Sequence, residues 1–290
     1  MTPSIYALLL MQAGPLVSGG AAPPIQPVPL PRISAPAAPQ PAEVKAEPSR
    51  LELCLQAIDE DPLAAIAAAE EWLKTAKGTA TVDPNHCLGV ANARLGRSVE
   101  AELAYSLARD AAPVNEPARK AAFAAMAALA MLEQNDAARA DTAFAEAQAL
   151  ARSGGDAQLA GDIAIDRARA QVALKHDAAA AASLADGRSA SPRNAAGWLL
   201  SATLSRRGGN LAEAQRYIEQ AADLAPFDAA IGLEAGVIAV LSGREAAARK
   251  SWESVIKVAP GSEAANLATG YLDQLGPAAP ASTPAPMEGR

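Results

Sequence analysis

From about residue 49 to about residue 276 the chain reads as short, Ala-rich apolar segments with helical character, punctuated at regular places. The breaks fall at Gly78, Gly96, Pro113, Gly154-Gly155, Pro192, Gly208-Gly209, Pro226, Gly243 and Pro260-Gly261. Gly ends helices by accepting a left-handed backbone, and Pro ends them because it has no N–H to continue the ladder. The segments between the breaks predict helices in pairs: 49–59 with 62–76, 83–95 with 97–111, 116–134 with 136–152, 157–174 with 177–186, 194–207 with 211–224, and 229–241 with 244–258. A single helix over 262–275 closes the series and suits a cap on the last apolar edge. Alanine is the best helix former, and β-branched and aromatic residues are few, so a sheet is not expected.

The pairs keep a common step. Pro192, Pro226 and Pro260 stand 34 residues apart, as do Gly209 and Gly243, Ala214 and Ala248, Ala221 and Val255, and Leu224 and Val258. A fixed period of this length, with small, bulky and Pro places in phase, defines a repeat architecture in place of a single globular core.

The pattern resembles the tetratricopeptide (TPR) repeat. Ala195–Asp228 has Trp198 in the fourth place, Gly209 at the inter-helix turn and Ala214 where the helices touch, followed by Ile218, Ala221, Leu224 and Pro226. Ala229–Ser262 carries Gly236, Gly243, Ala248, Trp252 and Pro260, and Gly161–Asn194 carries Ala168, Ala180, Leu184 and Pro192. Earlier units hold Leu88-Gly89, Gly96, Ala101, Tyr105, Ala108 and Pro113, then Ala140, Phe144, Ala147 and Leu150. Departures are visible too. Ser205 and Ala239 stand at the late aromatic place of the first helix, extra residues break the phase near 116–120 and 155–160, and the pair at 49–77 fits no single register. The resemblance implies an all-α, α-α superhelix, a TPR-like solenoid over 49–276, of a bacterial envelope or exported type.

The termini differ in composition. Ile5 to Val17 is an apolar stretch followed by Ser18-Gly19-Gly20-Ala21, which suits a signal-peptide core too short to span a membrane, so residues 1–21 are expected to be a leader. No Lys or Arg precedes the stretch. Residues 22–48 hold Pro23, Pro24, Pro27, Pro29, Pro31, Pro36, Pro39, Pro41 and Pro48 and read as an extended tether, and 277–290 read as a disordered tail. These features place the protein in the periplasm or otherwise outside the cytoplasm, with a cytoplasmic adaptor as the alternative. No transmembrane segment is expected in the mature chain.

Net charge is −7 and the pI about 5.0, which disfavours a sequence-independent nucleic-acid binder, since that requires a basic footprint. Catalytic motifs are missing: there is no G-x-S-x-G elbow, P-loop or H-E-x-x-H. Ser254-Val-Ile-Lys257 has the S-x-x-K form but falls on a second helix beside Trp252, where a structural role is expected. His86, Cys87, Cys54 and His176 match no zinc spacing. No enzyme activity, cofactor or metal is expected; the expected role is a non-catalytic scaffold or adaptor, with a regulatory or accessory subunit of an envelope-polymer or secretion enzyme complex as a further alternative.

Cys54 and Cys87 lie 33 residues apart, on first helices of neighbouring units at nearly equivalent places. In an exported chain they are expected to form a disulfide; two buried thiols are the alternative. The TPR resemblance further implies that first helices line a concave face. Its groove places fall on Ile165 and Arg169, on Leu199, Thr203, Arg206 and Arg207, and on Leu233 and Val237, with His86, Val90 and Arg94 earlier. This mixed apolar and basic surface suits a protein or peptide partner carrying apolar side chains and some acid. Arg206 and Arg207 also suit the end of a helix, where cations complement the dipole. Trp198 and Trp252 are expected inside the stack.

Overall fold

A computed structural model describes residues 47–277, so the expected leader, nearly all of the tether and the tail lie outside the described residues. Among the described residues there are thirteen α-helices and no strand. They are α1 (Arg50–Glu60), α2 (Pro62–Leu73), α3 (Val82–Arg94), α4 (Ser98–Ala111), α5 (Pro117–Glu133), α6 (Ala137–Ser153) and α7 (Ala157–Ala173). Then come α8 (Asp177–Ala190), α9 (Ala195–Arg207), α10 (Leu211–Leu224), α11 (Ala229–Leu241), α12 (Glu245–Val258) and α13 (Glu263–Leu275). A 3₁₀ turn, Gly78–Thr81, precedes α3 and was not foreseen from the sequence.

Local chemistry sets the boundaries. Ser49 and Glu52 form a reciprocal capping box at the start of α1, and Asp61 caps α2 with Pro62 in the first turn. Asp136, Asp156, Asn194, Asn210, Asp228 and Ser262 each accept a backbone N–H at the start of the helix that follows them. The turns inside five of the six pairs share one geometry, the exception being the α1–α2 turn, where Asp61 is extended. Gly96, Asn135, Lys175, Gly209 and Gly243 all have positive φ, and the next residue donates back five positions, as Arg97 does to Asn92 and His176 to Gln171. This is the Schellman closure, which satisfies carbonyls that the helix end would leave orphaned.

From α4 onward, the bulky residue of each second helix enters a small place on its partner first helix, whereas α2 buries only Ala65 and Ala69. Tyr105 lies on Gly89 and Trp252 on Gly236, where an added Cβ would lie 2.4 Å and 2.1 Å from the nearest ring atom. Phe144, Leu184 and Ile218 occupy the equivalent place opposite Ala128, Ala168 and Ala202. The two aromatic pairs with the tightest approach therefore have Gly beneath the ring. All these side chains are buried.

The extra residues near 116–120 and 155–160 become additional first turns of α5 and α7, each 17 residues long against 13 for α9. About one turn of helix adds length without rotating the buried face. Ion pairs then link neighbouring units: Arg119 with Asp83, Arg139 with Glu102, Arg152 with Asp186, and Arg167 with Asp141. Cys54 and Cys87 are bridged across α1 and α3, with Cα atoms 6.2 Å apart, and both are buried. Trp252 is buried, whereas Trp198 is only partly so. Its indole Nε1 donates to the Pro192 carbonyl at 2.9 Å, which holds the ring at the unit boundary and leaves one edge in solvent.

Candidate functional site

Successive first helices α5, α7, α9, α11 and α13 approach one another more closely than successive second helices do. The first helices therefore lie on the inner, shorter-radius side of the stack, and their outward residues form a groove.

Two cavities between successive first helices share six equivalent places, and the second is also lined by Gly96, Ser98 and Ala101 from the α3–α4 turn and α4. One, of about 250 Å³, lies between α7 and α9 over Leu184 of α8. Its walls are Ala168, Val172, Leu200 and Leu204, with Arg169, Thr203 and Arg207 around them. The other, of about 370 Å³, lies between α3 and α5 over Tyr105 of α4. There Ala93 stands for Val172, Met126 for Leu200, Leu129 for Thr203 and Ala130 for Leu204. Glu133 stands where the first cavity has Arg207. Both cavities are apolar inside, and the charge at this equivalent place has opposite sign.

The residues expected in the groove divide into three groups. Arg169, Thr203 and Arg207 meet around the α7–α9 cavity. Leu199, Leu233 and Val237 are half-buried, packing against the core while keeping one side open. Ile165 is a correction: it is 2% exposed and packs with Ala168, Ala180 and Leu184. Gly187 and Gly197 make room for it, since an added Cβ would lie 2.4 Å and 2.7 Å from its side chain. Arg206 is also corrected. Its guanidinium makes two bonds to the Glu234 carboxylate of the next unit, at 2.6 and 3.3 Å, and both side chains are largely buried. It links α9 to α11, so its charge is already matched.

The remaining arginines differ. Arg207 is exposed and has no ion pair among the described residues. Arg169 is exposed and makes one long contact with Asp166, at 3.6 Å. Burial raises the Asp166 carboxyl above its ordinary value; Arg169 opposes this shift and Asp162 adds to it. Asp162 itself accepts from Ser191 and Asn194, which joins α7 to the start of α9. Farther along the groove, His86 lies edge-on to Phe123, with ring centroids 5.2 Å apart. Its imidazole pKa is lowered chiefly by burial; Asp83 opposes this and Arg119 reinforces it. Asp166, Glu133 and Glu234 were not foreseen. Glu234 sits on the first helix of the unit following Arg206, a placement that none of the other inter-unit ion pairs shares, so no spacing rule pointed to it.

Among the described residues no group of three His, Cys, Asp or Glu side chains comes together as a metal site. No helix among them is long and apolar enough to cross a membrane.

No protein-family model matches the sequence, and no curated protein matches it. Solved structures do match in fold. PilW, titled a widely conserved type IV pilus biogenesis factor, superimposes with a TM-score of 0.61 at 17% identity, over 76% of this chain and 96% of that one. PilF of Pseudomonas aeruginosa gives 0.59 at 15% identity, over 77% and 96%. BtubC from P. vanneervenii gives 0.55 at 13% identity, over 84% and 100%. Fold and groove together define a TPR-like helical-repeat protein, an α-α superhelix of paired helices with a final single helix.

Proposed function

We propose that the chain is a non-catalytic scaffold that holds a protein or peptide partner along its inner face, in the cell envelope. The observation that carries this reading is the α7–α9 cavity, an apolar recess in the groove edged by Arg169, Thr203 and Arg207. Half-buried Leu199, Leu233 and Val237 extend the apolar surface toward the C-terminal units. Peptide recognition by a helical array uses such a surface: apolar recesses supply affinity, and rim charges set orientation and on-rate. An envelope location is supported by the apolar stretch Ile5–Val17, by the Pro-rich tether, and by a Cys54–Cys87 bridge of the kind that persists in oxidising compartments. The fold likeness to a protein titled a type IV pilus biogenesis factor is compatible with an assembly role. In this reading residues 1–21 are removed on export, 22–48 tether the solenoid of 49–276, and 277–290 form a free tail.

The test is photo-crosslinking of the full-length protein in its native host. A photoreactive residue at Thr203 or Val237 is expected to give one discrete protein adduct, whereas one at Glu219, exposed on α10, gives none. Adducts of equal yield from all three sites, or from Glu219 alone, would remove the groove reading.

A further inference from the structure

The two cavities are alike in floor and walls but have different rims, and the α3–α5 one is also bounded by Gly96, Ser98 and Ala101. Both are floored by the bulky residue of a second helix, Leu184 or Tyr105, and walled by two successive first helices. The equivalent place near the end of the first helix holds Arg94, Glu133, Ala173, Arg207 and Leu241 in the successive units. The fold accepts either charge or none there. Arg207 is therefore not required to complement a helix end, and Glu133 stands at a helix terminus where an anion is disfavoured. Arg206, beside it, is already paired with Glu234. What distinguishes the α7–α9 cavity is a pair of exposed cations, Arg169 from one wall and Arg207 from the other, over an apolar interior of about 250 Å³. A cavity of about 150 Å³ already accepts a benzene ring, so this one has room for a leucine or phenylalanine side chain.

We propose that the cavity between α7 and α9 anchors one large apolar side chain of a partner segment, with carboxylates on either side of it bound by Arg169 and Arg207. The idea rests on the groove reading above and names the chemistry the groove selects. Guanidinium groups bind carboxylates through two parallel hydrogen bonds, which fixes geometry as well as charge. Thr203, between the two arginines, offers a hydroxyl to the segment's backbone. At the equivalent α3–α5 cavity Glu133 repels the same segment, so the groove distinguishes its two ends by charge. The occupant is thus an acidic segment with an apolar residue at its centre.

The experiment uses the full-length protein and three fluorescein-labelled peptides, read by anisotropy. The cores are Asp-Asp-Phe-Asp-Asp, Lys-Lys-Phe-Lys-Lys and Asp-Asp-Ala-Asp-Asp, each flanked by Gly-Ser. The first is expected to bind with an affinity that falls as salt rises, and the other two about tenfold or more weaker. R169E/R207E, both at exposed positions, should weaken the first peptide by about tenfold while helix content by circular dichroism is unchanged. Thr203→Trp, which fills the recess, should erase the difference between the Phe and Ala peptides. The proposal is overturned by equal affinity for the acidic and basic peptides, by wild-type affinity in R169E/R207E, or by no binding of the first peptide up to about 1 mM. If it fails while crosslinks still form from Thr203 and Val237 in the host, the scaffold reading stands and only this specificity is lost. Loss of the crosslinks removes both.

Discussion

Gly236 of α11 lies beneath the indole of Trp252 of α12, so close that a Cβ on Gly236 would be 2.1 Å from Nε1. The indole also donates to the Leu233 carbonyl of α11 at 3.1 Å, one turn before Gly236. The ring is thereby fixed and cannot retreat from an added methyl group. Gly236→Ala should destabilise the protein by about 1–3 kcal/mol through overpacking, despite alanine's better helix propensity. Trp252→Ala should cost about 3–5 kcal/mol. The preceding unit uses Ala202 opposite Ile218 at the same places. Gly236→Ala with Trp252→Ile recreates that pair, so it should be less destabilised than the sum of its single changes in urea titrations. Strict additivity would show that the two places do not compensate each other.

Lys175 holds the left-handed place that Gly fills in three of the five left-handed turns inside helix pairs, with φ of 61°. A side chain there costs about 1 kcal/mol relative to glycine. Lys175→Gly should raise the unfolding free energy by about 0.5–1 kcal/mol, a gain checked by denaturant midpoint. Asn135→Gly, at an equivalent turn, should gain less, because Asn tolerates this conformation better. A loss of stability in Lys175→Gly would mean that its side chain contributes more than its backbone costs.

The repeat was legible wherever period and residue size coincided. All thirteen helices fall within a few residues of the sequence reading, because Gly and Pro mark their ends directly. The bulky residues Tyr105, Phe144, Leu184, Ile218 and Trp252 were visible by their spacing, and so was the Cys54–Cys87 pair. The site was less legible. Ile165 occupies a groove place in register, yet Gly187 and Gly197 leave a hollow that draws it inward. Arg206 and Arg207 are adjacent in sequence and look alike, but one turns to Glu234 on the first helix of the next unit while the other faces the cavity. Trp198 holds a bulky place, but its N–H requires an acceptor, and Pro192 supplies one at the surface. The Ile165 and Arg206 outcomes depend on neighbours in the next helix or the next unit, and the Trp198 outcome on a backbone acceptor at the unit boundary, none of which a single-residue pattern encodes.

Tyr105 should give the fold an alkaline sensitivity. Burial on Gly89 pushes its phenol up from 10.0 to about 12. The folded state therefore keeps a proton that the unfolded chain releases above pH 10.0. This contribution is fully present below that pH and is lost as pH rises through about 12, to a total of about 3 kcal/mol. Tyr105→Phe removes the titration. The stability difference between the two proteins, followed by urea titration at successive pH values, should move in favour of the Phe variant across this window. A constant difference would show that the phenol ionises freely in the folded state.

The Cys54–Cys87 bridge closes a 33-residue interval at the N-terminal end of the solenoid. On the chain-entropy model such a loop contributes about 3–4 kcal/mol. Reduction, or Cys54→Ala with Cys87→Ala, should lower stability by about this amount, and the loss should concentrate in α1 to α3. Hydrogen exchange should show those helices opening first while α5 to α13 keep their protection. Two thiols reacting with label in the protein purified from its host, unfolded without reductant, would show that the bridge does not form there.

Arg206 and Glu234 should behave as a stabilising pair with no part in partner recognition. Their two hydrogen bonds cross from α9 to α11, and the side chains are 22% and 12% exposed, so solvent screens them less than a surface pair. Arg206→Gln and Glu234→Gln should each destabilise, because each leaves a partly buried charge without its partner. The double change should cost less than their sum, with a coupling of about 1–2 kcal/mol measured by urea titration of the four proteins. The acidic Phe peptide provides the contrast with Arg207. Arg206→Gln should leave its affinity within about twofold of wild type, whereas Arg207→Glu should weaken it and leave the urea midpoint near the wild-type value, since exposed charges contribute little to stability. The opposite pattern, with Arg206→Gln losing affinity but not stability, would mean that the bridge to Glu234 opens on binding and that Arg206 faces the partner after all.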